Sequence, residues 1–439
     1  MLSPAMLKSM GRRTSREVNL PLDKIRQDSK GNLLPLIEDE EVMQYHGRRR
    51  ASNHSILDFD GDTAVMLRGV FEQEVLPSRS NARRASVMSM NQRQDRERRA
   101  SLTANVKTNE KKTTPERKWS LILKQRQEAD AQRAINIQPH QYTEDPTVAW
   151  EMLKAKRPVK RVIQMKLDTP IRPDHVRFVC VSCTHGQPLP HLPDGDVLIV
   201  AGDFTSCGLP KEVKNFNAQL ANTRHAYRIL IAGNHECTFD ETFLKSQKRE
   251  IGEAKEEALK QALLSALHSA KMTTPRPLLT NGLYLQDEVI ELFGITIYGT
   301  PWQPRVDNWA FNLSRGVPLL EKWNQIPTGV DVLITHTPPL GHGDLMANGQ
   351  RMGCVELLNT VVKRVKPKYH VYGHIHEGYG CSSDGYTKFI NCCSTDHNLD
   401  LVNSPVIFDI PVHPTTKQYY LNNIKKVTKR IQKEQLERK

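Results

Sequence analysis

Apolar and polar positions along this chain change character twice. Up to about residue 140 apolar residues are sparse and hold no sustained period, while Arg, Ser, Asn and Gln dominate. That pattern predicts a largely disordered N-terminal region, since such a segment buries too little apolar surface to offset its chain entropy. From about residue 141 onwards, short apolar runs of strand length alternate with amphipathic stretches. The runs fall near 176–182, 196–202, 227–233, 283–286, 289–299, 331–336, 369–374, 387–393 and 404–412, and ELFGITIYG predicts a hairpin turning near Gly294. Between the runs, Pro210 opens a helix whose Val213, Phe216 and Leu220 share one face. A second helix is expected over about 251–271, rich in Ala, Leu, Glu and Lys. A third, near 353–365, carries Val355, Leu358, Val362 and Val365. Asp145 and Pro146 form a capped helix start, and LILKQRQEADAQR also carries helical signal. From residue 417, Leu421, Ile424, Val427 and Ile431 predict a basic amphipathic tail helix.

The chain therefore divides into three parts: a basic N-terminal region over 1–140, an α/β domain over 141–416 and a basic helical tail over 417–439. Charge follows the same division. The formal net charge is +13, with 62 Lys and Arg against 49 Asp and Glu. Residues 1–140 hold 26 basic against 18 acidic residues, and 417–439 hold 8 against 2. The middle is close to neutral, so a basic nucleic-acid-binding core is not expected. Strong basicity at the two ends leaves an acidic partner or lipid surface as a weaker alternative. Eight cysteines lie in or beside apolar runs with no secreted-type framework, which points to a reducing, cytoplasmic setting. No apolar run approaches the ~20 residues of a membrane span. The opening segment is basic and acid-free as far as Glu17, a faint transit-peptide character and a minor alternative.

The N-terminal region also repeats a short pattern. Arg-Arg-x-Ser or a close variant precedes Ser15, Ser52, Ser86 and Ser101, and RKWS ends on Ser120. This resembles the recognition sequence of basophilic kinases of the cyclic-AMP-dependent type. Each phosphorylation would add about 1.5–2 negative charges. The competing reading is a solvated arginine-rich tail that no kinase uses.

Chemistry concentrates where the apolar runs end. DVLIVAGD ends on Asp203, YRILIAGNHE on Asn234, His235 and Glu236, DVLITH on His336, and YHVYGHIH on His374 and His376. VRFVCVSCTH ends on Cys183 and His185. Open α/β sheets place their sites at the carboxyl ends of strands, so these side chains are expected in one crevice. Any one of them alone is more often a cap, a turn residue or a surface histidine. Gly202, Gly233 and Gly373 each precede a candidate residue, where a missing side chain permits sharp turns and close approach.

The order D-x-H, G-D, G-N-H-[DE], H, G-H-x-H resembles the signature of calcineurin-like metallophosphoesterases. DPTVAW, VLIVAGDFTSCGLPKEVKNFN, LIAGNHECTFD, YGTPWQP, AFNLSRG, THTPPLGHGD, GCVELLN and YGHIHEGYG narrow it to the metallophosphoesterase-domain-containing branch, over roughly 60% of the chain. The resemblance implies a four-layer α/β/β/α sandwich with its site along one edge. It also implies two divalent metal ions, Mn or a similar transition metal, with Fe, Zn or Ni as options. One ion would take position 183, His185, Asp203 and His376; the other would take Asp203, Asn234, His336 and His374. His235 is similar to the family's non-ligand histidine, which binds a phosphoryl oxygen or protonates the leaving group, and Glu236 is a candidate to orient it. The implied activity is hydrolysis of a cyclic nucleotide or other small phosphodiester by a metal-activated water.

One position departs from the pattern: Cys183 stands where the family has Asp. Sulfur binds as thiolate and prefers softer ions such as Zn. The alternative function is therefore a catalytically weakened nucleotide-binding or scaffold protein, regulated by phosphorylation of its N-terminal region. Cys180 and Cys183 form a C-x-x-C string, read as one core residue and one strand-tip residue rather than a redox pair. Cys392 and Cys393 are expected to pack in a late strand. Trp302, Trp309 and Phe311 are expected to fill core or stack on a base. His342, Arg305 and Arg315 are further candidates for phosphate contact.

Overall fold

The computed structural model describes residues 137–245 and 254–438, together with two short strands, β1 (Ile25–Gln27) and β2 (Leu33–Pro35), that pair antiparallel. The expected disorder, the helical signal at 121–133 and the kinase-type serines fall outside the described residues.

A two-residue strand β3 (Lys160–Arg161) comes first in the domain. Four parallel strands follow: β4 (His175–Val181), β5 (Val197–Ala201), β6 (Tyr227–Ile231) and β7 (Leu283–Tyr284). β8 (Glu288–Leu292) and β9 (Ile295–Thr300) form the expected hairpin, turning through Phe293 and Gly294 at φ of 58° and 76°. A small parallel pair, β10 (Gln303–Pro304) and β11 (Asn312–Leu313), lies beyond it. β12 (Val332–Thr335), β13 (Tyr369–Tyr372), β14 (Gly380–Ser383) and β15 (Lys388–Asn391) complete a seven-stranded sheet of order β3-β14-β15-β13-β12-β9-β8. The last strand, β16 (Val406–Pro411), returns to the first sheet, pairs antiparallel with β4 and makes the order β16-β4-β5-β6-β7.

Alternation along the strands builds the layers, because successive side chains point to opposite faces. Val176, Phe178, Cys180, Val197 and Ile199 face inward and meet Ile297, Val332, Ile334, Val371 and Ile390 of the other sheet in one core. Val179, Val181, Leu198 and Val200 face outward. There they are covered by Val213, Phe216 and Leu220, the stripe expected on the helix at Pro210–Ala221. Tyr298, Leu333, Tyr372 and Phe389 line the outer face of the larger sheet beneath Leu319, Trp323, Leu357 and Val361. The result is the expected α/β/β/α sandwich.

Asp145 caps the helix Pro146–Leu153 by accepting from the Val148 amide at 3.0 Å. The helix expected over 353–365 is α-helical only over Val355–Thr360 and widens into a π turn over Val361–Val365. Several short elements have no counterpart in the sequence reading, among them β3, β10, β11, β14 and the helices Glu241–Lys245 and Val317–Asn324. The expected boundary at 416/417 is crossed by packing. Helices Pro414–Asn422 and Ile424–Glu437 bury Tyr420, Val427 and Ile431 in the inter-sheet core, so this segment closes one end of the sandwich. Its stripe had no partner visible in sequence, which is why it read as a tail.

Candidate metal centre

Five loops leave the carboxyl ends of strands at one edge of the sandwich. β4, β5 and β6 deliver Cys183, His185, Asp203, Asn234 and His235; β12 and β13 deliver His336, His374 and His376. The loops are locked side by side by Cys183 N to Gly202 O at 3.0 Å, His185 N to Asp203 O at 2.9 Å and Gly373 N to His336 O at 3.1 Å. Cys183, His185, Asp203 and His374 all adopt left-handed backbone, with φ between 49° and 68°. Such non-glycine conformations are costly and mark functional sites. Gly202 and Gly233 are required by close approach: a Cβ on either would lie 2.5 Å from the His336 ring.

Asp203, Asn234, His336 and Cys183 are buried at the floor, while His185, His235, His374 and His376 are part-exposed around the rim. Donor atoms gather in two groups that share Asp203. Cys183, His185 and Asp203 form one, with His376 beside Cys183; Asp203, His336 and His374 form the other. Asn234 joins the second group through Oδ1, 3.0 Å from His336 Nε2.

The donor set calls for a cation. His336 Nδ1 donates to the Ala201 carbonyl at 2.9 Å, leaving Nε2 aimed at Asp203 Oδ2 (3.1 Å) and Asn234 Oδ1. In the neutral ring this places one lone pair against two acceptors, an arrangement that only a positive charge resolves. His376 is oriented in the same way: Nδ1 donates to Asp396 O at 2.8 Å and Nε2 faces His185 Nε2 at 3.2 Å. A second partner on the far nitrogen is how ligating histidines are oriented. Burial alone lowers His336 and His376, but Asp203 and Cys183 respectively outweigh it and raise both to about 9. Asp203 is held well below the carboxylate range by His336 and His235, against its burial. Burial raises the Cys183 thiol, yet bonds from Cys393, His185 and His376 bring it well below its usual value.

His235 is in neither donor set but lies against one of them, its ring centroid 4.4 Å from that of His185. Its amide donates to Asp203 Oδ1 (2.9 Å), its Nδ1 donates to Ser206 O (2.8 Å), and its ring stacks on Trp309 with centroids 4.2 Å apart. Burial lowers its pKa to about 4. Glu236 does not orient His235. Its carboxylate accepts from the amides of Asp203 (2.8 Å), Gly233 (2.6 Å) and Thr205 (2.9 Å) and from the Thr205 hydroxyl, tying β5's loop to β6's. Burial and then Asp203 push it up to about 8, against the pull of these donors.

The peripheral candidates separate. Trp302 donates to Asp287 beneath Lys322, and Phe311 is buried, so both are structural. Arg315 donates to the carbonyls of Met352 and Gly353, which spends its guanidinium on a loop. His342 is buried, stacked on Phe389 and bonded to Ser382. Arg305 is exposed. Cys180 lies in the inter-sheet core, apart from Cys183. Sequence reasoning missed Cys393, whose Sγ lies 3.4 Å from Cys183 Sγ. It follows an apolar strand, and nothing local distinguishes it from its core neighbour Cys392.

Two mixed sheets whose parallel strands present histidines and a shared carboxylate at one edge fit a metal-dependent phosphoesterase. The family profile described as calcineurin-like phosphoesterase matches residues 176–378. A UPF0046 protein of Caenorhabditis elegans is 56% identical over 99% of this chain and 100% of its own length. Metallophosphoesterase domain-containing protein 1 of Homo sapiens is 46% identical over 63% of this chain and 85% of its own. A second UPF0046 protein of Caenorhabditis elegans is 45% identical over 62% of this chain and 95% of its own. The chain belongs to the calcineurin-like phosphoesterases, in the branch of the metallophosphoesterase-domain-containing proteins. Among the described residues no helix is long and apolar enough to cross a membrane.

Proposed function

We propose that the protein is a phosphodiesterase that hydrolyses a cyclic nucleotide or another small phosphodiester at this centre. The observation that carries the reading is the pair of donor groups meeting at Asp203. One carboxylate between two nests of imidazole fits two divalent ions, Mn or a similar transition metal, held by His185, Asp203 and His376 on one side and by Asp203, Asn234, His336 and His374 on the other. Bound there, the ions would supply an activated water and neutralise phosphoryl oxygens.

The chain's own residues do the rest. Ala201 and Asp396 fix the ligand tautomers of His336 and His376 through their carbonyls. His235, with Nδ1 committed to Ser206 O, keeps Nε2 as its free ring nitrogen. An arriving phosphodiester anion raises the basicity of that nitrogen. His235 then takes a proton from solvent, donates it in a hydrogen bond to a phosphoryl oxygen and passes it to the leaving alkoxide, returning to the neutral ring. Trp309 holds the imidazole plane.

The test is hydrolysis of bis-p-nitrophenyl phosphate and 3′,5′-cyclic nucleotides by the full chain with Mn, Zn, Ni or Mg, metal content being measured on the same sample. Metal-dependent turnover is expected, with Asp203→Asn losing both ions and activity. Undiminished turnover in Asp203→Asn would remove the shared carboxylate. Nucleotide binding without turnover would favour the weakened, non-catalytic alternative.

A further inference from the structure

Cys393 reaches the site by a crossing between the two sheets. β15 belongs to the larger sheet, but just beyond it Cys393 forms an isolated parallel bridge with Ser182 at the tip of β4. The Ser394 amide donates to Ser182 O at 2.8 Å. Cys392 turns into the inter-sheet core and bonds to Tyr372 O; Cys393, pointing the other way, faces Cys183. The same segment supports its surroundings: Thr395 donates to Cys183 O at 2.8 Å, and Asp396 O receives His376 Nδ1. Cys183, His376 and Cys393 bring their donor atoms within 4.8 Å of one another, and His185 Nε2 lies 3.2 Å from His376 Nε2.

Cys183, Cys393 and His376 form a two-sulfur, one-nitrogen group, with His185 on its border beside Cys183 and His376. A tetrahedral Zn with Zn–S bonds of about 2.3 Å separates two sulfurs by about 3.8 Å. The observed 3.4 Å is a few tenths short of that and far from the ~2.05 Å of a disulfide. The cysteine at position 183 thus comes with a second cysteine, so the departure from Asp is not an isolated loss of a carboxylate. Thiolate and imidazole select thiophilic ions, whereas the second group, Asp203, Asn234, His336 and His374, offers oxygen and nitrogen and suits harder ones.

We propose that Cys393 is a metal ligand and that Cys183, Cys393 and His376, next to His185 and Asp203, hold a thiophilic divalent ion of the zinc class, which makes the centre chemically asymmetric. This rests on the metal-centre reading above. Asp203 borders the cluster on the side facing the second group and links the two.

The experiment uses the full chain loaded with one equivalent of zinc and counts sulfur around it by X-ray absorption at the zinc edge. Two sulfurs are expected in the wild type and one in Cys393→Ser. The variant is also expected to lose at least tenfold in zinc retention against a chelator. A single sulfur in the wild type, or the same count in both proteins, would overturn the proposal and leave Cys393 as an S–H donor to Cys183. Should Cys393→Ser fail to fold, the wild-type count decides alone. A chain that retains no zinc and no other divalent ion would sink the metal-centre reading itself, whereas tight zinc with one sulfur would sink only the role of Cys393.

Discussion

Glu236 Oε2 accepts the backbone amide of Asp203 at 2.8 Å, so the carboxylate shared by the two donor groups is positioned by a second, fully buried carboxylate behind it. Glu236 reaches no donor group itself among the described residues. Its two oxygens take three amides and a hydroxyl, which sets the loops after β5 and β6 in one register.

Above about pH 8, where Glu236 is ionised, Glu236→Gln would turn an N–H donor against this ring of donors. We expect a loss of ~1–3 kcal/mol in stability, the cost of unsatisfied buried groups. Metal affinity should fall about 10–100-fold, as for other partners that orient ligands. Denaturant unfolding and metal titration check the two effects, and an unchanged metal affinity would show that Asp203 holds its place without Glu236.

His235→Gln should separate chemistry from metal binding. The ring lies outside the donor groups, so metal content should stay at the wild-type level. Loss of a positioned proton donor lowers kcat by about 10²–10⁴-fold. A parallel loss of metal would assign His235 to the ligand set instead.

Metal uptake should release protons. Asp203 raises His336, and Cys183 raises His376, each to about 9 against the effect of burial. Both rings are therefore protonated at neutral pH until an ion displaces the proton. Apparent affinity should rise from pH 7 towards 9, with about one proton released per ion. Calorimetry in buffers of different ionisation enthalpy measures this directly. For the metal-free protein the sign is opposite. These raised values contribute stability that is complete below the unfolded histidine pKa and is lost as pH rises through about 9. Flat affinity across this range would mean that neither ring carries a proton before the ion binds.

Ile431→Ala tests whether the C-terminal helix belongs to the fold. Ile431 is 1% exposed among inter-sheet core residues. Truncating a buried Ile costs about 2–5 kcal/mol. Thermal unfolding should show the loss, and an unchanged midpoint would return residues 417–439 to the status of a dispensable tail.

Much of this molecule is readable from its residues. Continuous apolar runs place the longer strands to within a residue or two, and the stripe of Val213, Phe216 and Leu220 identifies a covering helix, because local side-chain direction is fixed by backbone geometry. Asp203, Asn234, His336, His374 and His376 stand out because each ends such a run. What stays hidden is any property that depends on a partner distant in sequence. The stripe through Val427 and Ile431 looks like a free amphipathic face until Tyr227, Phe293 and the sheet edge lie beneath it. Glu236 is next to His235 in sequence, yet its bonds go to Asp203 and Thr205.

Local pattern along the chain dictates the alternation of strands and helices, the layered class of fold and the order in which metal-binding side chains leave the strands. Each of those rests on contacts within a few residues of chain. Long-range packing sets Cys393 against Cys183 across 210 residues of sequence, commits Arg315 and His342 to structural bonds and brings the C-terminal helix into the core. Those depend on which strands cross between sheets and which buried polar groups need partners, and no local pattern records either.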